Sequence, residues 1–136
     1  DVDIFPLSIK DNICMLKDIP MNEIEEISKL CDLDEMIKAM PDGYDTVLRE
    51  AGHDLSGGTK KKIALARAVI DKPDVLLMDE TLSQMDTNSV EKILKNVLKH
   101  IKNCTVLMIS HNRKYDKYFD GAISIVEGKI IKSYEI

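Results

Sequence analysis

The 136-residue sequence contains no apolar run approaching the length of a membrane span and no signal-peptide pattern, which argues against a helix of this chain crossing a bilayer and against a secretory leader. Cysteine is scarce. Cys14, Cys31 and Cys104 are odd in number and show no Cys-x-x-Cys spacing, which argues against a disulfide framework and for free thiols in a reducing cytosol. Basic residues are not in excess: 19 Lys and Arg face 24 Asp and Glu, for a net charge of −5. No general affinity for nucleic acid or anionic lipid follows. Internal repeats, low-complexity tracts and Gly/Ser-rich linkers are also missing. What remains is an ordinary globular composition, 44% hydrophobic and 32% charged, long enough for one domain with its own core. Position 1 is Asp rather than Met, so the chain is expected to be a piece of a longer protein.

Residues 1–21 are short and mixed, interrupted by Pro6 and Pro20. Residues 22–40 read as two short helices. Asn22 and Glu25 have capping-box spacing, and Ile24, Ile27, Leu30 and Cys31 follow at helical intervals. A second apolar face of Leu33, Met36, Ile37 and Met40 ends at Pro41 and Gly43. A loop over 41–55 leads into a helix over 57–72, stopped by Pro73. The pattern then changes. Val75 to Met78 form a continuous apolar run, as expected of a strand buried on both faces. The clearest helix, 87–102, carries Val90, Ile93, Leu94, Val97, Leu98 and Ile101 on one face. Residues 105–109 read as a second buried strand, followed by a short helix and two more strands, 122–126 and from Ile130, around a turn at 127–129. Strand, helix, strand is a βαβ unit, so the back half is an α/β sheet and the front half a helical insertion.

Three signals lie in order along this frame. Ser56-Gly57-Gly58 opens a helix, Asp79-Glu80 ends a strand, and His111 follows the next strand. Taken singly, each has an ordinary explanation: a flexible cap, a solvated loop start, a packed or exposed histidine. The triple lysine 60–62 reads as a solvated face. Their joint order points further. Ligands of parallel α/β sheets bind beyond the carboxyl ends of the strands, where Asp79, Glu80 and His111 would project together. One carboxylate for Mg²⁺, one for water and one imidazole for a phosphate make a hydrolysis site for a nucleoside triphosphate. A phosphate loop of the G-x-x-x-x-G-K-[ST] type is not present, however. Thr59 follows Gly58, and the only Gly-Lys pair, Gly128-Lys129, is followed by Ile130 and has Ile at position 123.

The combined pattern resembles the nucleotide-binding domain of ABC transporters, over nearly the whole chain. "LSGGTKKKIALARAVI" (55–70) is similar to that family's signature loop and helix, "VLLMDE" (75–80) to its Walker B strand, "TLSQMD" (81–86) to its D-loop and "ISHN" (109–112) to its switch-histidine region. The opening "DVDIFPLSIKDNI" resembles the segment after the Q-loop, and "MPDGYDTVLREAGHDLSGG" (40–58) the exporter-type approach to the signature. The resemblance implies a partial P-loop NTPase fold of the ABC ATPase kind: an α/β core sheet with flanking helices plus a helical subdomain. That subdomain, with the signature helix, would occupy about 14–72, and the C-terminal part of the core about 73–136.

The resemblance also implies a function. The chain would be part of the ATP-binding and ATP-hydrolysing unit of an ABC exporter, with ATP and Mg²⁺ as ligands. Its partners would be a second nucleotide-binding domain, head to tail, and a transmembrane domain, with no nucleic acid involved. It would sit at the cytoplasmic face of the cell membrane, the fragment itself being soluble. The Walker A loop, the adenine-stacking aromatic and the Q-loop glutamine would all precede the point matching Asp1, so the chain alone is expected to be inactive. Ser56, Gly57 and Gly58 would contact the phosphate held by the other subunit. Such a loop needs glycines for close backbone approach but no lysine, since the partner supplies one. Asp79 would hold Mg²⁺ through water, Glu80 would be general base, His111 would contact the γ-phosphate, and Asp86 would couple the two sites. Thr59 departs from the family's usual glutamine, Arg49 from its glycine, and Leu82, Gln84 and Met85 from its usual D-loop residues. Arg49 is expected to meet an acidic group on the membrane partner, from a loop spanning 41–51. Two alternatives are a soluble ABC-type ATPase of DNA repair or translation, which has no reason to carry "GYDTVLREAG", and a non-catalytic interaction fragment. The apolar strand 105–109 is expected either to be covered by the final strands or to pair chains.

Overall fold

The computed structural model describes residues 2–49 and 52–135, so positions 50 and 51 of the expected 41–51 loop, together with 1 and 136, lie outside the described residues. The chain opens with helix α1, Ile9–Cys14, in a stretch whose sequence pattern shows no helix. Its cap explains it. The Ser8 hydroxyl oxygen accepts from the Asp11 backbone N–H at 3.1 Å while the hydroxyl donates back to the Asp11 carboxylate. Helix α2, Met21–Leu30, starts one residue before the expected box. Pro20 (φ −55°) delivers the chain directly into the helix, so Asn22 already has helical backbone and no side chain caps the end. Helix α3, Asp34–Lys38, follows, then a 3-10 turn at Gly43–Asp45 and helix α4, Gly57–Ile70.

The back half runs β1 (Val75–Asp79), α5 (Thr87–His100), β2 (Thr105–Ile109), a 3-10 segment (Arg113–Tyr118), β3 (Gly121–Val126) and β4 (Lys129–Glu135). β1 and β2 pair in parallel, Val75 opposite Thr105 through Asp79 opposite Ile109, completing the expected βαβ unit. One core joins both halves. Ile24 and Ile27 of α2, Ile63 and Val69 of α4, Leu76 and Met78 of β1, and Val90, Ile93, Leu94 and Val97 of α5 are all buried in it.

One expectation fails here, and one of the two outcomes open for β2 drops out. β1 and β2 are not buried on both faces. Leu76 and Met78 point into the core, while Val75, Leu77, Leu107 and Ile109 are exposed on the opposite side. The helices pack on one face, and among the described residues the sheet contains only these two strands. The final strands do not cover β2 either. β3 pairs antiparallel with β4 in a separate hairpin, with an irregularity between Ser124 and Ile125. The three cysteines are free, and burial pushes the Cys31 thiol up to about 12, far from reactivity at neutral pH.

Candidate functional site

The βαβ unit brings the expected pair together. Glu80, just past β1, donates its backbone N–H to the Ile109 carbonyl at 3.2 Å, prolonging the ladder by one residue. His111 lies just beyond β2. Its Nε2 sits 2.7 Å from Glu80 Oε1. The imidazole is almost fully exposed, at 90%, and the carboxylate is half-exposed, so both can reach a ligand from outside. They line a cleft of about 220 Å³ together with Ser83, Ser110 and Asn112. Asp79, the last residue of β1, is exposed beside them.

A second cleft, of about 430 Å³, lies between the N-termini of α4 and α5. Ser56, Gly57 and Gly58 line one side, Asp86 and Ser89 the other. Each helix is capped by its own residue. Ser56 Oγ accepts from the Thr59 N–H at 3.1 Å and also lies 2.9 Å from the Thr59 hydroxyl. Asp86 accepts from the Ser89 N–H at 2.9 Å, and Ser89 holds its carboxyl below the usual aspartate range. Gly57 has no internal reason to be glycine. A Cβ there would meet nothing within 4 Å, and at Gly58 the nearest atom would be Met85 Cγ at 3.8 Å. Glycine at a helical position costs about 1 kcal/mol against alanine, so its presence suits a surface that something outside the chain approaches closely.

Of the sequence-derived site residues, the first cleft therefore gathers Glu80 and His111, and the second gathers Ser56, Gly57, Gly58 and Asp86. Gln84 and Met85 line both and form the partition between them. Arg49 lies 3.5 Å from Asp54 of its own chain, both side chains well exposed. The triple lysine departs from its reading as a solvated face. Lys62 pairs with Asp32 at 2.7 Å, and Lys61 turns toward the loop after β1. Helical spacing held a signal for Lys61, because residue 61 falls one turn after Gly57, on the same side of α4.

The sequence matches the ABC transporter family over residues 5–83, more than half of its length. It is 36% identical over 126 residues to the toxin RTX-I translocation ATP-binding protein of Actinobacillus pleuropneumoniae, covering 92% of this chain and 18% of that protein. The leukotoxin export ATP-binding protein LtxB of Aggregatibacter actinomycetemcomitans is similar to the same degree, at 36% identity with the same two coverages. Among solved structures, a bacterial Atm1-family ABC exporter with ATP bound superposes with a TM-score of 0.89 at 28% identity, over 99% of this chain and 24% of that one. The chain thus spans about a fifth of the length of these three proteins. With the signature-like helix, the Asp-Glu strand end and the strand-following histidine arranged on one α/β frame, and with these matches across nearly all of its length, the chain belongs to the ABC transporter family.

Proposed function

We propose that this chain is part of the ATP-hydrolysing unit of an ABC exporter, working at the cytoplasmic face of a membrane within a head-to-tail pair of nucleotide-binding domains beside a transmembrane domain. The observation that carries this reading is the 2.7 Å approach of His111 to Glu80 at the carboxyl ends of adjacent parallel strands. Glu80 is the general base: its carboxylate faces an open cleft and can take the proton of an attacking water. His111 donates to a γ-phosphate oxygen. While its Nε2–H rests on Glu80 the carboxylate is engaged, and a phosphate that takes this N–H frees Glu80 for water. Ser56, Gly57 and Gly58 offer a capped, glycine-lined helix start to the phosphates of a nucleotide held by the other subunit. Asp86, across the second cleft from these glycines, couples the two nucleotide sites of the pair.

Asp79 is the residue that would hold Mg²⁺. Among the described residues no group of three or more His, Cys, Asp and Glu could hold a metal by itself. One exposed carboxylate fits an ion that keeps several waters and takes its other ligands from phosphates. When bound, the ion neutralises charge on the β- and γ-phosphate oxygens.

The test is Glu80→Gln in the transporter that carries this chain. ATP binding is expected to persist while hydrolysis falls by at least about a hundredfold, the lower end of what a positioned base contributes. ATP-bound dimers should accumulate. Hydrolysis near the parental rate would remove Glu80 from the role of base.

A further inference from the structure

Lys61 sits one turn inside α4, and its ammonium crosses to the loop that follows β1. Nζ donates to Ser83 Oγ at 2.6 Å, to the Ser83 carbonyl at 3.1 Å and to the Glu80 carbonyl at 3.4 Å. Three acceptors match the three donors of an ammonium. The loop has reason to be held. Glu80 (φ 45°) and Gln84 (φ 67°) are both non-glycine residues in the left-handed region, and only support from the surroundings keeps such conformers populated. Among the described residues the bond within the loop is the turn from the Ser83 N–H to the Glu80 carbonyl at 2.9 Å, while the Glu80 N–H on the Ile109 carbonyl and the buried Leu82 hold the loop from outside. Lys61 reinforces that turn at both ends. It also ties the turn to the helix whose N-terminus carries Ser56, Gly57 and Gly58.

We propose that Lys61 is a positioning residue. It fixes the backbone of Glu80 so that the carboxylate stays aimed at His111, and it links α4 to the 80–86 loop so that movement of one cleft is transmitted to the other. The inference rests on the role proposed above for Glu80. Lys61 lines neither cleft and touches no reacting atom. Its contribution passes through three hydrogen bonds, added to the Glu80 N–H bond to Ile109 and the buried Leu82 side chain. In this reading the lysine serves its own chain's loop rather than an anion, which explains why a cation sits so close to the signature-like turn without belonging to a phosphate loop.

Three substitutions separate this from a general packing role. Lys61→Met keeps the stem and removes all three donors, Lys61→Arg keeps charge and donors, and Ser83→Ala removes one acceptor. The first measurement is backbone hydrogen exchange within residues 1–136 of the transporter that carries the chain. Lys61→Met should speed exchange within residues 80–86 by about tenfold or more, the factor that a hydrogen bond from a charged donor carries. Exchange in β2 and α5 should be unchanged. Lys61→Arg should restore most of the protection, and Lys61→Met combined with Ser83→Ala should add less than the two singly. The second measurement is ATP turnover in the transporter that carries the chain. Lys61→Met should lower kcat about tenfold while KM for ATP stays within about twofold, and Lys61→Arg should recover kcat. Unchanged exchange in 80–86, or a rise spread evenly over all elements, overturns the positioning role. Faster exchange with unaltered kcat overturns the link to Glu80. A transporter without ATP turnover would defeat the proposed function instead, and the exchange measurement would still decide whether Lys61 holds the loop.

Discussion

Asn12 shows how much one buried polar residue can organise. It is fully buried, and its Oδ1 accepts from the Phe5 N–H at 2.9 Å and from Arg67 Nη2 at 3.3 Å. Its Nδ2 donates to the carbonyls of Phe5 at 2.9 Å, Ser8 at 3.1 Å and Leu7 at 3.3 Å. Arg67 adds a bond from Nε to the Asn12 carbonyl at 2.8 Å and stacks over the Phe5 ring. The N-terminal segment is thereby fastened to α4. Asn12→Ala would leave the Phe5 N–H without its partner and remove the second hydrogen bond from the Phe5, Leu7 and Ser8 carbonyls, so a loss of about 2 kcal/mol in urea unfolding is expected. A loss under about 1 kcal/mol would mean water replaces the amide. The same scale shows what sequence reading reaches. Glu80 and His111 were legible because each comes two residues after an apolar run that reads as a strand, and parallel pairing of the two strands sets their ends side by side. Asn12 and Lys61 were not. Asn12 binds nearby backbone groups that carry no mark in the sequence, and its side-chain partner Arg67 lies 55 residues away. Ser83 lies 22 residues from Lys61, so helical spacing puts Lys61 on the Gly57 side of α4 without naming what it meets.

At the level of elements, the ends of helices divide the legible from the illegible in the same way. α1 was missed because six residues are too few for a periodic signal, yet its Ser8–Asp11 cap is strong. α2 was found, but with the wrong cap. Two substitutions check this directly. Ser8→Ala should cost about 1 kcal/mol of stability, whereas Asn22→Ala, in an uncapped first turn, should be neutral or a few tenths stabilising through helix propensity. A loss of 1 kcal/mol at Asn22 would restore the capping box. The far end of α2 closes in a Schellman motif, with Asp32 in the left-handed region (φ 58°), Leu33 N–H to the Ser28 carbonyl at 2.8 Å and Asp32 N–H to Lys29 at 3.1 Å. Aspartate rather than glycine stands there because its carboxylate bridges Lys62 of α4 at 2.7 Å and Lys92 of α5 at 2.5 Å. Partial burial would raise the Asp32 pKa, but the hydrogen bonds from Lys62 and Lys92 outweigh it and hold the group below its ordinary 3.8. A depressed carboxylate pKa stabilises the fold above the ordinary value and loses that contribution as pH falls through the folded value. The wild-type chain should therefore keep the bridge at pH 5 and lose it only in acid below 3.8, and Asp32→Asn should flatten this limb of the stability–pH curve. An unchanged acid limb would show that the bridge contributes nothing to α2 docking.

For the whole molecule, two expected behaviours follow from its surface and its inventory. No G-x-x-x-x-G-K-[ST] loop occurs among the 136 residues, so the main cradle for β- and γ-phosphates is not supplied by this chain. The 136-residue chain on its own should hydrolyse no ATP, and turnover that survives repurification and disappears on Glu80→Gln would contradict this. Its physical state is governed by the β1–β2 sheet. Both strands read as buried runs, and the sequence was right that they are apolar. Period and composition do not say whether anything lies on the second face, and here Val75, Leu77, Leu107 and Ile109 stand exposed in adjacent strands, Leu77 at 70%. Ile123, Ile125, Ile130 and Ile131 of the β3–β4 hairpin are exposed as well. Exposed apolar patches of this kind drive association, and an edge strand with unpaired N–H and C=O groups recruits another. β2 carries no charge or proline to discourage this. The final strands, which could have covered β2, pair with each other instead. The isolated chain should therefore self-associate through the outer face of β1–β2, with light scattering rising with concentration. Leu77→Lys together with Leu107→Glu should suppress it without lowering stability, since neither side chain contributes to the core. A parent chain that stays monomeric with an unchanged cooperative melt over a hundredfold range of concentration would mean that this face is satisfied within the chain.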